Sequence, residues 1–168
     1  MDLSTTMAGE QRAIFAGLLQ QHRGIVMKVA GSYCRQPDDR ADLAQEIATQ
    51  LWQAFPRYDA SRSFSTWMYR IALNVAISHL RNQRQPSTVP LDESDRELVD
   101  PQARDPQVEQ HVHALHRFIH AQAALDRALL LLYLEDRGYR EISDILGISE
   151  TNVATKISRL KQRIRNEL

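Results

Sequence analysis

Tyr139-Arg140-Glu141-Ile142-Ser143-Asp144-Ile145-Leu146-Gly147-Ile148-Ser149-Glu150-Thr151-Asn152-Val153 is the stretch on which the fold turns. Ile142, Ile145 and Leu146 fall on one side of a short helix, Gly147 suits the left-handed position that ends it, Ile148 plugs the turn, and Ser149 caps the next helix. Val153, Ile157, Leu160 and Ile164 continue at helical spacing, so a helix-turn-helix is predicted. With Ser149 at its start, that second helix turns Thr151, Asn152, Thr155, Lys156 and Arg159 outward, where such a helix meets the major groove. A purely structural hairpin also uses glycine in its turn, but it has no need of five cations and no acid between Thr151 and Arg165. Arg163 and Arg165 lie further along and suit phosphates or a protein partner.

Upstream, Leu115, Phe118, Ile119, Leu125, Leu129 and Leu132 occupy apolar helical positions. The run Ala128–Leu134 is the longest unbroken apolar stretch at seven residues, where a membrane-spanning helix needs about twenty. No direct membrane insertion is expected, and the N-terminus has no basic cluster leading into an apolar stretch, which predicts a cytoplasmic protein. The chain is 168 residues, 43% apolar and 25% charged, which excludes disordered, collagenous and disulfide-scaffold classes. Its single cysteine, Cys34, reads as a small buried hydrophobe.

The net charge is zero, but the charges are segregated. Residues 57–84 carry five arginines against Asp59, residues 86–110 carry seven acids against Arg96 and Arg104, and the segment from Thr151 onward carries five cations against Glu167. Two basic blocks therefore flank an acidic one that also holds Pro86, Pro90, Pro101 and Pro106. Prolines exclude a long helix there, and the low apolar content predicts a flexible linker. The organisation expected is all-α: a helical unit over 1–85, an acidic linker over 86–109, and a second helical unit over 110–168 ending in the helix-turn-helix.

In the first unit Ile14, Leu18, Ile25, Val29 and Tyr33 recur at helical spacing, Pro37-Asp38-Asp39 ends one helix and caps the next, and Leu43, Ile47 and Leu51 continue. Pro56 stops that helix, a loop follows, and Ser63 caps a helix with Phe64, Trp67, Met68, Ile71, Ala72 and Val75 on its apolar face. Its other face shows Arg70, Asn74, Ser78 and Arg81, a stripe able to follow phosphates or read bases. Trp67, beside Ile71, reads as core before it reads as a melting wedge.

Taken together, Asp42-Leu43-Ala44-Gln45-Glu46 with Leu51-Trp52, Phe64-Ser65-Thr66-Trp67-Met68-Tyr69-Arg70-Ile71-Ala72-Leu73-Asn74, and Tyr139 through Arg159 resemble the extracytoplasmic-function class of the bacterial sigma-70 family. The resemblance spans nearly the whole chain. It implies a specificity subunit that holds core RNA polymerase through Asp42, Gln45, Glu46 and Thr49. It implies a pocket for a flipped promoter base in the loop Arg57–Ser63, including Tyr58 and Arg62, with Arg70, Asn74 and Arg81 holding the strand. The upstream promoter element falls to the second unit, and an anti-sigma factor, common in the family, is an implied partner whose site the residues do not place. The chain departs from the family at Gly138 and Ser143, where a Ser or Thr cap and an Ala are usual, and at Ala154 and Lys156, which weaken the cationic reading surface.

No GxGxxG, phosphate loop, HExxH or GxSxG pattern occurs, so no catalysis by this chain and no cofactor is expected. His111, His113, His116 and His120 spread three same-face imidazoles over two turns, a poor spacing for a metal, and no metal site is assigned. The alternative function is an autonomous helix-turn-helix regulator, opposed by a basic, aromatic first unit without purpose in a plain repressor.

Overall fold

The computed structural model describes residues 3–83 and 105–168, and most of the segment expected as a linker lies outside the described residues. Helix α1 (Leu3–Gln21) breaks at His22 and resumes as α2 (Arg23–Tyr33). His22 leaves helical geometry at φ −108° and ψ 19°, while its backbone N–H donates to Leu18 O at 3.0 Å, so that carbonyl is not orphaned at the break. Helix α3 (Pro37–Ala54) places Pro37 at a first-turn position where a missing N–H costs nothing. Its N-cap is Gln36, which makes no side-chain capping bond. Asp38 and Asp39 therefore favour the helix through its dipole and are not the cap expected of them. A 3-10 turn (Phe55–Arg57) and a loop lead into α4 (Phe64–Asn82).

Helices α2, α3 and α4 pack on one another. Leu43, Ile47 and Leu51 line up at four-residue steps on α3 and are fully buried, with Val29 and Ala30 of α2 and Met68, Ala72 and Ala76 of α4. Each large aliphatic side chain buried in this way contributes about 1.5–3 kcal/mol.

The second unit comprises α5 (Pro106–His120), α6 (Ala124–Leu134), α7 (Tyr139–Leu146) and α8 (Glu150–Glu167). Residues 105–109, assigned to the linker for their proline and acids, in fact open α5. The Asp105 carboxylate accepts from Gln107 N at 3.0 Å, and Pro106 takes the helix start it is suited to.

The largest difference from the expected organisation is that the buried side chains of both units form one cluster. Ala128, Leu129, Leu130, Leu131 and Leu132 are buried in succession, because α6 touches α5, α7 and α8 in its own unit and α2 and α4 in the other. Over Ala128–Leu132 the helix is covered on every side, whereas Leu134 at its end is exposed. Polar groups cross the same boundary. Tyr33 donates its hydroxyl to Ala124 O at 2.6 Å, and Arg127 donates to Gln122 O at 2.9 Å and across to Ser32 O at 3.3 Å.

Candidate nucleic-acid interface

Short-range chemistry sets the helix-turn-helix. Gly147 adopts φ +69° and donates to Ser143 O at 2.9 Å, ending α7. The Ser143 hydroxyl donates to Ile148 O, so the residue that departs from the family's alanine ties the turn together. Ser149 Oγ accepts from Asn152 N at 3.1 Å, which caps α8 as the sequence predicts. Val153, Ile157 and Leu160 are buried beneath α8, while Thr151, Asn152, Thr155 and Arg159 are exposed and Lys156 is half-buried. Thr155 donates back to Thr151 O at 3.0 Å, which fixes its hydroxyl on the helix surface.

Arg163 is drawn elsewhere. Its guanidinium donates to Gln122 Oε1 at 2.8 Å and lies 5.5 Å from the centre of the Phe118 ring, so it anchors the end of α8 to the α5–α6 turn. Among the upstream candidates it is the one whose charge is engaged inside its own unit. Lys161 is likewise held over the Tyr133 ring at 4.6 Å, and its bond to the Tyr133 hydroxyl raises its pKa.

In the first unit the stripe on α4 is present as read: Arg70, Asn74, Ser78 and Arg81 are all exposed. The loop before it is braced by its own hydrogen bonds. Asp59 accepts from Ser61 N at 2.9 Å and from Ser61 Oγ at 2.8 Å, bonds that hold its carboxyl below the usual carboxylate range. Tyr58 donates to Arg62 O at 2.7 Å and packs its ring against Phe64 at 5.4 Å and Trp67 at 5.1 Å. Tyr58 therefore shapes the loop from beneath, while Arg57, Arg62 and Ser63 are exposed on it. Ser63 precedes α4 but makes no capping bond; its Oγ lies 3.0 Å from Ser65 Oγ. Trp67 is half-buried in the aromatic group, as the core reading expects, yet it also lines a cleft of about 410 Å³ with Arg62, Ser63, Thr66, Arg70 and Asp144.

Asp42, Gln45, Glu46 and Thr49 form one exposed stripe on α3, with Thr49 donating to Gln45 O at 2.9 Å. Sequence reasoning missed the groups that join the units. Lys28 Nζ lies 2.8 Å from Glu135 Oε1, and Thr66 donates to Glu141 Oε1 at 2.8 Å. Arg137 donates to the same Glu141 oxygen at 2.7 Å and to Ser65 Oγ at 3.2 Å, and stacks over Tyr69. Burial pushes the Tyr69 hydroxyl up to about 12 and the Cys34 thiol up to about 11, so both stay protonated at neutral pH. Among the described residues no three His, Cys, Asp or Glu side chains are grouped to hold a metal, and no helix is long and apolar enough to cross a membrane.

Comparison with known proteins places two family models on the chain: Sigma-70 region 2 on residues 18–85 and Sigma-70, region 4, on residues 123–164. A probable RNA polymerase sigma factor, RfaY, of Xanthomonas campestris pv. campestris is 28% identical, over 99% of this chain and 43% of that protein. The extracytoplasmic-function RNA polymerase sigma factor SigE of Mycolicibacterium smegmatis is 29% identical, over 95% of this chain and 64% of its own length. The chain thus spans less than two thirds of either relative. The structure of CnrH in complex with the cytosolic domain of CnrY has a similar fold, with a TM-score of 0.67 at 20% identity over 97% of this chain and 92% of that one.

Proposed function

Since the chain belongs to the sigma-70 family, in its extracytoplasmic-function class, we propose that it is a specificity subunit that brings core RNA polymerase to chosen promoters and helps open them. The carrying observation is that one chain exposes two separate polar helix faces, on α4 and on α8, each within a segment matched by its own sigma-70 family model. A protein reading a single operator has use for one.

Each task falls to a surface. The stripe Asp42, Gln45, Glu46 and Thr49 meets polymerase through hydrogen bonds and charge pairing. Asn152, Thr155, Lys156 and Arg159, with Ser149 and Thr151 at the helix start, read or straddle the upstream element, because base-edge contacts carry sequence information and phosphate contacts set register. Unstacking promoter bases costs a few kcal/mol per step, and the first unit recovers this by holding the opened strand. Arg57, Arg62 and Ser63 receive the displaced base over the platform made by Tyr58, while Arg70, Asn74 and Arg81 follow the phosphates. The chain supplies recognition and polymerase supplies the catalysis. We place it in the cytoplasm, where its DNA is, and its partners are core polymerase, promoter DNA and an anti-sigma factor.

The test is a one-to-one complex of the purified chain with core bacterial RNA polymerase on a sizing column, beside the Gln45→Ala/Glu46→Ala variant. Complex formation that the variant loses supports the proposal. Failure of the folded chain to bind polymerase, with tight duplex binding on its own, overturns it.

A further inference from the structure

Several charged groups around the start of α4 are already committed to partners. Glu141 accepts from Thr66 and Arg137, and Asp59 accepts twice from Ser61. The cleft of about 410 Å³ is lined by three that are not: Arg62, Arg70 and Asp144. Among the described residues no ion pair joins that carboxylate to either guanidinium, and none of the three side chains forms a hydrogen bond. Trp67 adds an aromatic wall. Its ring is half-buried against Tyr58 at 5.1 Å and Phe64 at 5.3 Å, so its place in the cleft is set by packing. The volume falls within the range of small-molecule sites, about 300–1,000 Å³.

We propose that this cleft is a binding site for a free guanine nucleotide, with the phosphate against Arg62 and Arg70, the base along Trp67 and its Watson–Crick edge toward Asp144. Each end of the ligand follows from the side chains. Guanidinium forks match phosphate oxygens, and an indole face suits a base. An ionised carboxylate only accepts hydrogen bonds, so Asp144 selects for donors. Guanine alone among the common bases presents two adjacent donors, N1–H and the N2 amino group, that the two oxygens of one carboxylate take together. Adenine and cytosine offer one amino group beside a ring acceptor, which a carboxylate repels. The volume suits one nucleotide and not a run of them, which favours a free ligand over a strand. This site goes beyond the sigma-factor reading and does not depend on it. Where that reading holds, the nucleotide and the opened promoter strand draw on the same two arginines.

The test uses the full chain carrying Trp52→Phe, which leaves Trp67 as its one tryptophan and makes its fluorescence a reporter of the cleft. Titration with GMP is expected to give a saturable change at millimolar concentration or below, with AMP about tenfold weaker and inorganic phosphate weaker still. Asp144→Asn supplies the decisive sign. Removing an acid from beside an anion tightens binding by charge alone, whereas loss of the paired acceptor is expected to weaken GMP by about tenfold and leave AMP and phosphate no weaker. Asp144 is exposed, so this variant is expected to keep the fold, which a melting curve checks. Arg70→Ala is expected to weaken both nucleotides alike. GMP that fails to saturate, that binds no better than AMP, or that tightens on Asp144→Asn overturns the proposal. Phosphate binding as tightly as GMP reduces the cleft to an anion cradle and overturns it too. A single-stranded oligonucleotide with one guanine that changes the Trp67 signal where GMP does not makes the cleft part of a strand path, and equally overturns it.

Discussion

Helices α4 and α8 both turn a polar stripe to solvent, but they are aimed by different means. Helix α8 is set from within about ten residues: Gly147 turns the chain, Ser143 ties the turn, and Ser149 caps the helix. Helix α4 has no working cap. Its start is positioned by Phe64 and Trp67 packed on Tyr58 and Phe55, and Phe55 in turn rests on Phe15 of α1 at 5.1 Å. The contrast suits the tasks. A helix that reads base edges needs its angle fixed by chemistry that travels with it, whereas a loop that receives an unstacked base gains from a broad aromatic floor.

The sharpest way to break this contrast is to strike the aromatic floor far from the loop it supports. Phe15→Ala removes a buried ring that touches Trp52 and Phe55, and a loss of about 3–5 kcal/mol in urea unfolding is expected. Amide exchange should quicken across Tyr58–Ser63 and stay slow across α7 and α8. Equal quickening in both places would show that the two helices share one support.

The next largest effect separates reading from positioning. Arg159→Ala should cost about 1–3 kcal/mol of discrimination between cognate and scrambled upstream DNA. Arg165→Ala should weaken both alike. Arg163→Ala should act chiefly on stability, through its bond to Gln122 and its place over Phe118. Fluorescence anisotropy on the two DNAs, with a melting curve for each variant, distinguishes the three.

These differences also explain what could be read in the sequence. The helix-turn-helix was legible because its determinants are neighbours, and Gly147 and Ser149 act as read. Arg163 was placed on the DNA side because helical spacing locates a Cα and says nothing of a glutamine contributed by another helix. The exposed stripe on α4 followed from periodicity, as the complement of a buried face, whereas Asp42, Gln45, Glu46 and Thr49 on α3 were singled out by the family resemblance. Pro106 was taken for a linker residue by its company, although proline after an aspartate also opens helices. The packing of one unit on the other was missed, yet Ala128–Leu134 carried a signal for it: a helix in a unit of this size has no use for five consecutive buried positions unless a second surface covers it. Its polar partners, Lys28 with Glu135 and Thr66 with Glu141, are 107 and 75 residues apart and left no pattern to find.

Two left-handed residues sharpen the comparison at smaller scale. A Cβ on Gly147 meets nothing within 4 Å, so Gly147→Ala should cost only the conformational penalty, about 1–2 kcal/mol. Asp136 already bears that penalty at φ +62°, and Asp136→Gly should recover up to about 1 kcal/mol in thermal unfolding. A destabilised Asp136→Gly would mean that the aspartate side chain makes its own contribution to the turn.

The smallest expected effect is the most direct comparison of the two helix starts. Ser149 and Ser63 stand at the same position, just before a helix that faces DNA, and by composition they are interchangeable. Only Ser149 accepts a bond from the helix it precedes; the Ser63 hydroxyl pairs with Ser65 and leaves the first N–H groups of α4 to other partners. Ser149→Ala should therefore cost about 1 kcal/mol, and Ser63→Ala a few tenths. Equal costs would show that Ser63 swings into the cap in solution and that α4 is set locally after all. A cost confined to Ser149 would mean that α4 is aimed by packing, on the aromatic floor and on α2 and α3, and by the bonds of Ser65 and Thr66 to Arg137 and Glu141, whatever residue stands at position 63.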